Sequence, residues 1–220
     1  MRRLRRIGIF GGTFDPVHFG HLRAAEEVRS RLGLDRILFI PSNTPPHKRR
    51  FGMAPAADRL AMVRSALRGR PGLEASDLEV ASPRTSYSVF TLAKIRTLYP
   101  DARLFFLLGA DAFLEIKTWR EWRKVLDQCV FIVLTRPGSS LRAARSVLGP
   151  GYRDRTASIR EAADLDNRLR AGRTILFFRI DALPVSSTEI RRRVRGGRSL
   201  EGLVPAGVAA RIKSAKLYQE

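Results

Sequence analysis

Short apolar runs alternate with helix-like patterns along most of this chain, which predicts an α/β fold built on a doubly wound, Rossmann-like parallel sheet. The length supports one such unit, since 220 residues with 44% hydrophobic residues can bury the core of a single domain. The sequence shows neither an internal repeat nor a linker of biased composition. We therefore expect one domain over residues 1–220.

The first predicted unit is a strand, a glycine turn and a helix. Residues 7–10 form an apolar run suited to a buried parallel strand, and Gly11 and Gly12 then let the backbone turn tightly. A helix should open at about Gly20, because apolar residues recur beyond it at helical spacing: Leu22, Ala25 and Val28. The N-terminus of this helix should therefore lie just beyond the end of the strand.

The remaining pattern continues the alternation. Apolar runs predict further strands at residues 36–40, 78–80, 103–108, 130–134 and 174–178. Helices are predicted from about Asp58, which is placed to cap its helix, from about Ser88, and over residues 111–128. Residues 42–57 are predicted to form a long loop. Residues 149–173 are predicted to form a polar surface insertion that is helical or irregular, and residues 187–220 are predicted to form a C-terminal helical part.

The chemistry is concentrated in the predicted strand-to-helix turn, GGTFDPVHFGH, at residues 11–21. The free N–H groups and positive dipole end of a helix bind anions, and in open α/β sheets that helix end faces the ligand crevice. His18 and His21 lie on one face of the first turn, close enough to contact one polyphosphate group. The alternative is a purely structural pair, which we disfavour because these are two of only three histidines in the chain.

This turn resembles the HxGH motif of the nucleotidyltransferase superfamily, and its fuller wording resembles the bacterial nicotinate-nucleotide adenylyltransferase family. Further segments continue the likeness in order along nearly the whole chain: residues 42–48 (SNTPPHK), 85–87 (TSY), 109–111 (GAD) followed by Trp119, and 186–191 (SSTEIR). The tail from Leu203 resembles the closing helix of that family, although Arg211 stands where an aromatic residue is often found. Agreement at every segment by chance is improbable.

The resemblance implies transfer of the adenylyl group of ATP to nicotinate mononucleotide, which gives nicotinate adenine dinucleotide and pyrophosphate in NAD biosynthesis. The attack would be direct and in line, without a covalent intermediate, and such transfers are catalysed mainly by positioning and charge stabilisation. The sequence fits this chemistry, because it has no Gly-x-Ser-x-Gly elbow and its single cysteine, Cys129, adjoins an apolar run that predicts a buried, inert thiol.

The resemblance also assigns roles to individual residues. The catalytic residues would be His18, His21 and Arg191. The ATP site would comprise Gly11, Gly12, Thr13, Phe14, His18, His21, Arg136, Ser186, Ser187, Thr188 and Arg191. The mononucleotide site would comprise Lys48, Thr85, Tyr87, Asp111 and Trp119, with Asp111 accepting hydrogen bonds from ribose and Trp119 stacking on the pyridine ring. Mg²⁺ would be carried by the ATP phosphates, with no dedicated metal cage in the protein. Arg120 stands where tyrosine is often found in this family.

Structural alternatives remain open for several of these residues. Ser186 with Glu189, or Ser187 with the next turn, would form an ordinary capping box. Lys48 would be a solvated surface lysine. Trp119 and Trp122, three apart on one predicted helical face, would both belong to the core.

Two rival functions remain. A pantetheine-phosphate adenylyltransferase of the same superfamily is usually shorter and typically has threonine at the position of His18. A non-catalytic nucleic-acid-binding protein would exploit the net charge of +20. We favour codon composition as the source of that charge, because arginine supplies most of the 41 basic residues and they are scattered, apart from the run at residues 191–195. Nucleic-acid binding is therefore disfavoured.

Location and assembly are only weakly constrained by the sequence. No apolar run is long enough to span a bilayer, and the basic residues 1–6 lead into a strand rather than into the apolar segment of a signal peptide. A single cysteine cannot form an intramolecular disulfide. We expect a cytoplasmic enzyme without a membrane partner, and the sequence leaves a homo-oligomer open.

Overall fold

A parallel sheet forms the centre of the molecule in the computed structural model, which describes residues 5–45, 52–135, 141–181 and 183–219. Within these residues the strands are β1 (Arg5–Gly12), β2 (Arg36–Pro41), β3 (Leu73–Ala75), β4 (Ala102–Gly109), β5 (Val130–Thr135), β6 (Thr156–Ile159) and β7 (Ile175–Arg179). Their spatial order is β3-β2-β1-β4-β5-β7-β6, and every neighbouring pair is parallel. The order reverses between β1 and β4, and a crevice at such a point is the usual ligand site of these folds.

Helices cover both faces of this sheet. The helices are α1 (Phe19–Leu32), α2 (Ala56–Ala66), α3 (Ser88–Leu98), α4 (Ala110–Leu114), α5 (Trp122–Gln128), α6 (Leu141–Ser146), α7 (Ala162–Arg170), α8 (Ser187–Arg195) and α9 (Ala206–Ser214). One core packs α1, α2, α7, α8 and α9 against the sheet, and the other packs α3 to α6. Strand side chains alternate between them, since Phe10 of β1 belongs to the first core and Ile9 to the second.

These observations confirm the predicted single-domain α/β fold. Five predicted strands lie within a residue or two of the observed β1, β2, β4, β5 and β7. Helix α1 begins next to Gly20, α3 begins at Ser88, and the C-terminal part contains α8 and α9.

The strand predicted at residues 78–80 is wrong. The partner of β2 is instead β3, whose buried Leu73 pairs with Ile37. A hydrogen bond just before β3 supports this pairing: the Ile37 N–H donates to the carbonyl of Gly72, the residue before Leu73, at 2.8 Å. Residues 78–80 lie in turns that lead toward α3.

The helix predicted over residues 111–128 is interrupted. It consists of α4, a short 3₁₀ segment at Ile116–Thr118, and α5. Trp119 is extended and Glu121 has a left-handed φ of 52°, so the regular helix cannot continue through them. This break leaves Trp119 outside α5, so Trp119 and Trp122 do not share a helical face. Both are nevertheless partly buried against the second core, as the structural alternative expects.

Residues 149–173 are more regular than predicted. They contain a 3₁₀ segment at Pro150–Arg155, the edge strand β6 and helix α7. Strand β6 escaped sequence analysis because it pairs on one side only and buries just one of its four residues, Ile159. A short polar edge strand gives little hydrophobic signal.

Asp58 does not cap α2, because the N-cap is Pro55 and Asp58 lies inside the first turn. Its carboxylate instead accepts two hydrogen bonds from Arg211, at 2.6 and 2.8 Å. The arginine that replaces an aromatic residue in the closing helix thus joins α9 to α2.

A buried arginine of α2 ties together the loops at the carboxyl ends of β1 and β2. Arg59 is only 1% exposed and donates hydrogen bonds to three backbone carbonyls, those of Thr13 at 2.7 Å, Asn43 at 3.0 Å and Ala54 at 3.0 Å. Burial lowers the pKa of Arg59, and the nearby negative charge of Asp15 opposes that shift. The side chain therefore fixes the backbone beside the predicted phosphate turn.

Arg59→Met should destabilise the protein by about 3 kcal/mol or more, because three buried carbonyls lose their donors at once. Urea unfolding measures the change. The control is Arg64→Met on the same helix, whose exposed ion pair with Asp77 should contribute no more than about 0.5 kcal/mol. Equal stability of the two variants would contradict the role given to Arg59.

Candidate active site

The predicted phosphate turn connects β1 to α1 and brings its two histidines together. His18 is the extended N-cap of α1, and its N–H donates to Nδ1 of His21 at 3.3 Å. The two imidazole rings stack with their centroids 3.7 Å apart and their planes 28° apart. The pair thus forms one compact group at the helix N-terminus, as the spacing predicts.

Gly20 favours this arrangement, because a side chain here would press on the His18 ring. A Cβ atom at this position would lie 3.0 Å from Nδ1 of His18 and 3.6 Å from the Val185 carbonyl. The glycine between the histidines therefore allows the His18 ring and the chain before α8 to approach α1 closely.

The turn between β1 and α1 also contains Phe14, whose side chain is buried. It adopts a left-handed φ of 50° and is 3% exposed, with its ring packed edge-on against His21 at 5.1 Å between centroids. A Cβ atom on Gly12 would meet the Phe14 ring at 3.2 Å. The buried ring thus packs against His21, and the part of Phe14 in ATP binding stays a prediction.

The buried carboxylate of Asp15 joins this turn to distant parts of the chain. Its Oδ1 accepts hydrogen bonds from the Tyr218 hydroxyl at 2.7 Å and from the Ala54 N–H at 3.0 Å. The Arg191 guanidinium lies 3.6 Å from Oδ2 and donates to the Asp15 backbone carbonyl at 2.6 Å. Burial, followed by the charge of Asp15, raises the pKa of Tyr218, so this phenol stays protonated and donates.

Helix α8 begins beside the same turn. The Ser187 hydroxyl donates to the Pro16 carbonyl at 3.0 Å, and Arg191 donates to the Thr188 hydroxyl at 3.4 Å. Ser186 is the N-cap and accepts from the Glu189 N–H at 3.2 Å, so it caps α8. The reciprocal half of the predicted capping box, from the Glu189 side chain to the Ser186 backbone, is not among the hydrogen bonds of the described residues. The Glu189 carboxylate pairs with Arg192 and Arg193, at 2.5 and 3.0 Å.

A cleft of about 290 Å³ opens between the carboxyl ends of β1 and β4. Its lining includes Phe10, whose ring packs edge-on against His21 with centroids 6.0 Å apart, but neither histidine. Gly11, Gly12 and Thr13 line it on one side, and Tyr87, Trp119 and Arg120 line it on the other. The half-buried Trp119 packs edge-on against Phe106, with ring centroids 5.9 Å apart. Trp122 lies elsewhere and packs on Tyr152 at 5.7 Å.

The remaining predicted site residues lie in different places. Thr85 lines a neighbouring cavity of about 450 Å³, whose wall it shares with Tyr87. Asp111 is exposed on the first turn of α4, next to cleft residues Gly109 and Ala112. Lys48 and Arg136 lie outside the described residues, so their predicted roles are untested.

Sequence analysis missed a carboxylate in the cleft wall. Glu79 Oε1 accepts a hydrogen bond from the Thr91 hydroxyl at 2.6 Å. Burial raises the pKa of Glu79, and the hydrogen bonds from Thr91 and Ser86 oppose the shift. Sequence analysis placed Glu79 in a predicted strand and assigned it no role in a site.

Two other sequence expectations concern groups outside the cleft. Burial strongly raises the pKa of the Cys129 thiol, which agrees with the prediction of an inert cysteine. In the part of the chain that the structure describes, no helix has the length and apolarity needed to cross a membrane.

Comparison with known proteins identifies the family. The Cytidylyltransferase-like family matches residues 9–193. A relative from Desulfatibacillum aliphaticivorans, named "Probable nicotinate-nucleotide adenylyltransferase", is 44% identical over 97% of this chain and 99% of its own. A relative of the same name from Pelobacter propionicus is 41% identical over 98% and 99%.

The fold is also that of a solved structure. Nicotinic acid mononucleotide adenylyltransferase of Plasmodium falciparum, complexed with NaAD, has a TM-score of 0.73 over 97% of each chain at 17% identity. The extent of the sequence matches leads to one conclusion: this chain belongs to the nicotinate-nucleotide adenylyltransferase family, within the cytidylyltransferase-like proteins.

Proposed function

We propose that the protein transfers the adenylyl group of ATP to nicotinate mononucleotide, releasing pyrophosphate, by direct in-line attack. The observation that carries this proposal is the stacked His18–His21 pair at the start of α1, with the start of α8 beside it. Phe10, which packs on His21, also lines the aromatic-walled cleft. An anion site next to a flat-ring site is what the two substrates require. The names of the curated relatives support the same reaction.

Binding of the ATP phosphates is assigned to the two helix starts. Imidazole N–H groups of His18 and His21 would donate to phosphate oxygens and stabilise the negative charge that grows on the leaving pyrophosphate. Thr188 and Arg191 would hold the triphosphate from the α8 side, with Arg191 already oriented by Asp15. The backbone of Gly12 and Thr13 would complete the site.

Mg²⁺ is proposed to arrive with ATP and to neutralise phosphate charge. Among the described residues no group of three or more His, Cys, Asp or Glu side chains is placed to hold a metal ion. The histidine pair and Arg191 would act on the phosphate oxygens alongside the ion.

The mononucleotide is assigned to the cleft. Trp119 offers an aromatic face to the pyridine ring, and Tyr87 lies on the same wall. Asp111 would serve the ribose and Lys48 the phosphate, as the family resemblance implies.

The rival functions have less support. In the basic run at residues 191–195, three of the four arginines are paired within the protein: Arg191 contacts Asp15, and Arg192 and Arg193 contact Glu189. This run is therefore less available to bind phosphates of nucleic acid than its sequence indicates. A pantetheine-phosphate substrate has no flat ring to stack on Trp119.

Pyrophosphate release from ATP tests the proposal with three acceptors: nicotinate mononucleotide, nicotinamide mononucleotide and phosphopantetheine. We expect kcat/KM to favour the nicotinate over the nicotinamide nucleotide by at least about tenfold, because a donor that suits a carboxylate oxygen faces the NH₂ group of an amide. A preference for the nicotinamide nucleotide would refute the predicted substrate preference but not the proposed adenylyl transfer. Turnover of phosphopantetheine alone would refute the proposed function.

His18→Ala or His21→Ala should lower kcat by about 10²–10³-fold while weakening ATP binding far less, because charge moves toward pyrophosphate only as the reaction proceeds. Single-turnover rates and ATP affinity separate the two effects. Ser30→Ala, at the other end of α1, should leave both unchanged. Near-normal kcat in either histidine variant would show that the histidines are not catalytic.

Trp119→Ala should raise KM for the mononucleotide but not for ATP, with a loss of roughly 1–3 kcal/mol if stacking on nucleic-acid bases is a fair guide. Trp122→Ala is the matched control, since this ring packs on Tyr152 outside the cleft lining. Equal damage to both substrates would indicate that Trp119 serves the core instead.

A further inference from the structure

Arg120 occupies the cleft wall directly after Trp119, in the break between α4 and α5. Its guanidinium carbon lies 5.2 Å from the ring centroid of Tyr87 and 5.3 Å from that of Phe90. A planar guanidinium is attracted to aromatic faces and loses freedom when it is held against them. The two rings, with the Glu121 carboxylate 3.9 Å from Nε of Arg120, thus hold the guanidinium beside Tyr87, which lines the proposed mononucleotide site.

The charged side chains that line the cleft indicate a function for the Arg120 guanidinium. Among the cleft-lining residues that the structure describes, the side chains of Asp, Glu, Lys and Arg type are Glu79, Glu115 and Arg120. Two carboxylates would repel an anionic ring substituent, and like charges brought together across a binding site are costly. Arg120 is placed to reverse that repulsion.

Three backbone donors nearby are already engaged. The N–H groups of Ser86, Tyr87 and Trp119 donate to the carbonyls of Thr44, Thr85 and Ile116, each at 3.1 Å. A ring carboxylate could use these donors only at the expense of an existing hydrogen bond. A side-chain donor avoids that cost.

We propose that the Arg120 guanidinium binds the carboxylate of the pyridine ring and thereby selects the acid over the amide. The fork of N–H groups matches two carboxylate oxygens, whereas an amide presents one oxygen and a competing NH₂ donor. This inference rests on the proposed function, because it assumes that the pyridine ring stacks on Trp119. It assigns the selection to a residue that differs from the tyrosine often found at this position.

The test compares Arg120→Gln, Arg120→Lys and the control Arg123→Gln, using kcat/KM for both pyridine mononucleotides. Arg123 loses the same charge, but its guanidinium lies over Trp122 at 4.4 Å and outside the cleft lining. Arg120→Gln should lower kcat/KM for the nicotinate nucleotide about tenfold and change that for the amide by less than about twofold. Arg120→Lys should keep part of the preference, and Arg123→Gln should keep all of it.

The inference is overturned if Arg120→Gln affects both mononucleotides equally or neither, or if Arg123→Gln matches it. Such results leave the proposed function intact, since the unaltered protein would still consume ATP and nicotinate mononucleotide. If the unaltered protein releases no pyrophosphate with either pyridine nucleotide, the proposed function itself fails and this inference fails with it. The two failures are therefore distinct.

Discussion

The buried carboxylate of Asp15 is the interaction on which the rest of the site depends. A buried charge is costly unless it is paired and hydrogen-bonded, and here the partners come from three distant segments: Ala54, Arg191 and Tyr218. Satisfying one carboxylate therefore holds the loop before α2, helix α8 and the C-terminus against the turn after β1. Removing any one partner would leave the buried carboxylate incompletely hydrogen-bonded, which favours this arrangement of the three segments over others.

The chemistry follows from that junction. Because Arg191 and Ser187 both donate to the turn backbone, the N-terminus of α8 is held next to that of α1. Two helix starts then face one small region, and the stacked imidazoles lie at the first of them. The proposed in-line transfer would need little from the protein beyond this kind of fixed positioning and charge. Arg59 also holds the backbone of this turn, through the hydrogen bond that it donates to the Thr13 carbonyl.

Sequence analysis predicted the features that depend on residues close together in the chain, and it missed the features that depend on tertiary structure. The spacing of His18 and His21 determines their shared face within one helical turn, and the apolar runs of β1, β4 and β5 are buried on both sides. Polar β6 needs its neighbour β7 to become a strand. The buried state of Arg59 leaves no sequence signal, because its acceptors are backbone carbonyls. The break at Trp119 and Glu121 was hidden by an apolar spacing compatible with one continuous helix.

The most direct test of this account is the structure of the protein with a non-hydrolysable ATP analogue. The account predicts that the triphosphate lies between the starts of α1 and α8, with its oxygens within hydrogen-bond distance of His18, His21 and either Thr188 or Arg191. It also predicts that the Asp15–Tyr218 hydrogen bond is retained. Phosphates bound away from both helix starts, or a site formed only after that hydrogen bond breaks, would contradict it.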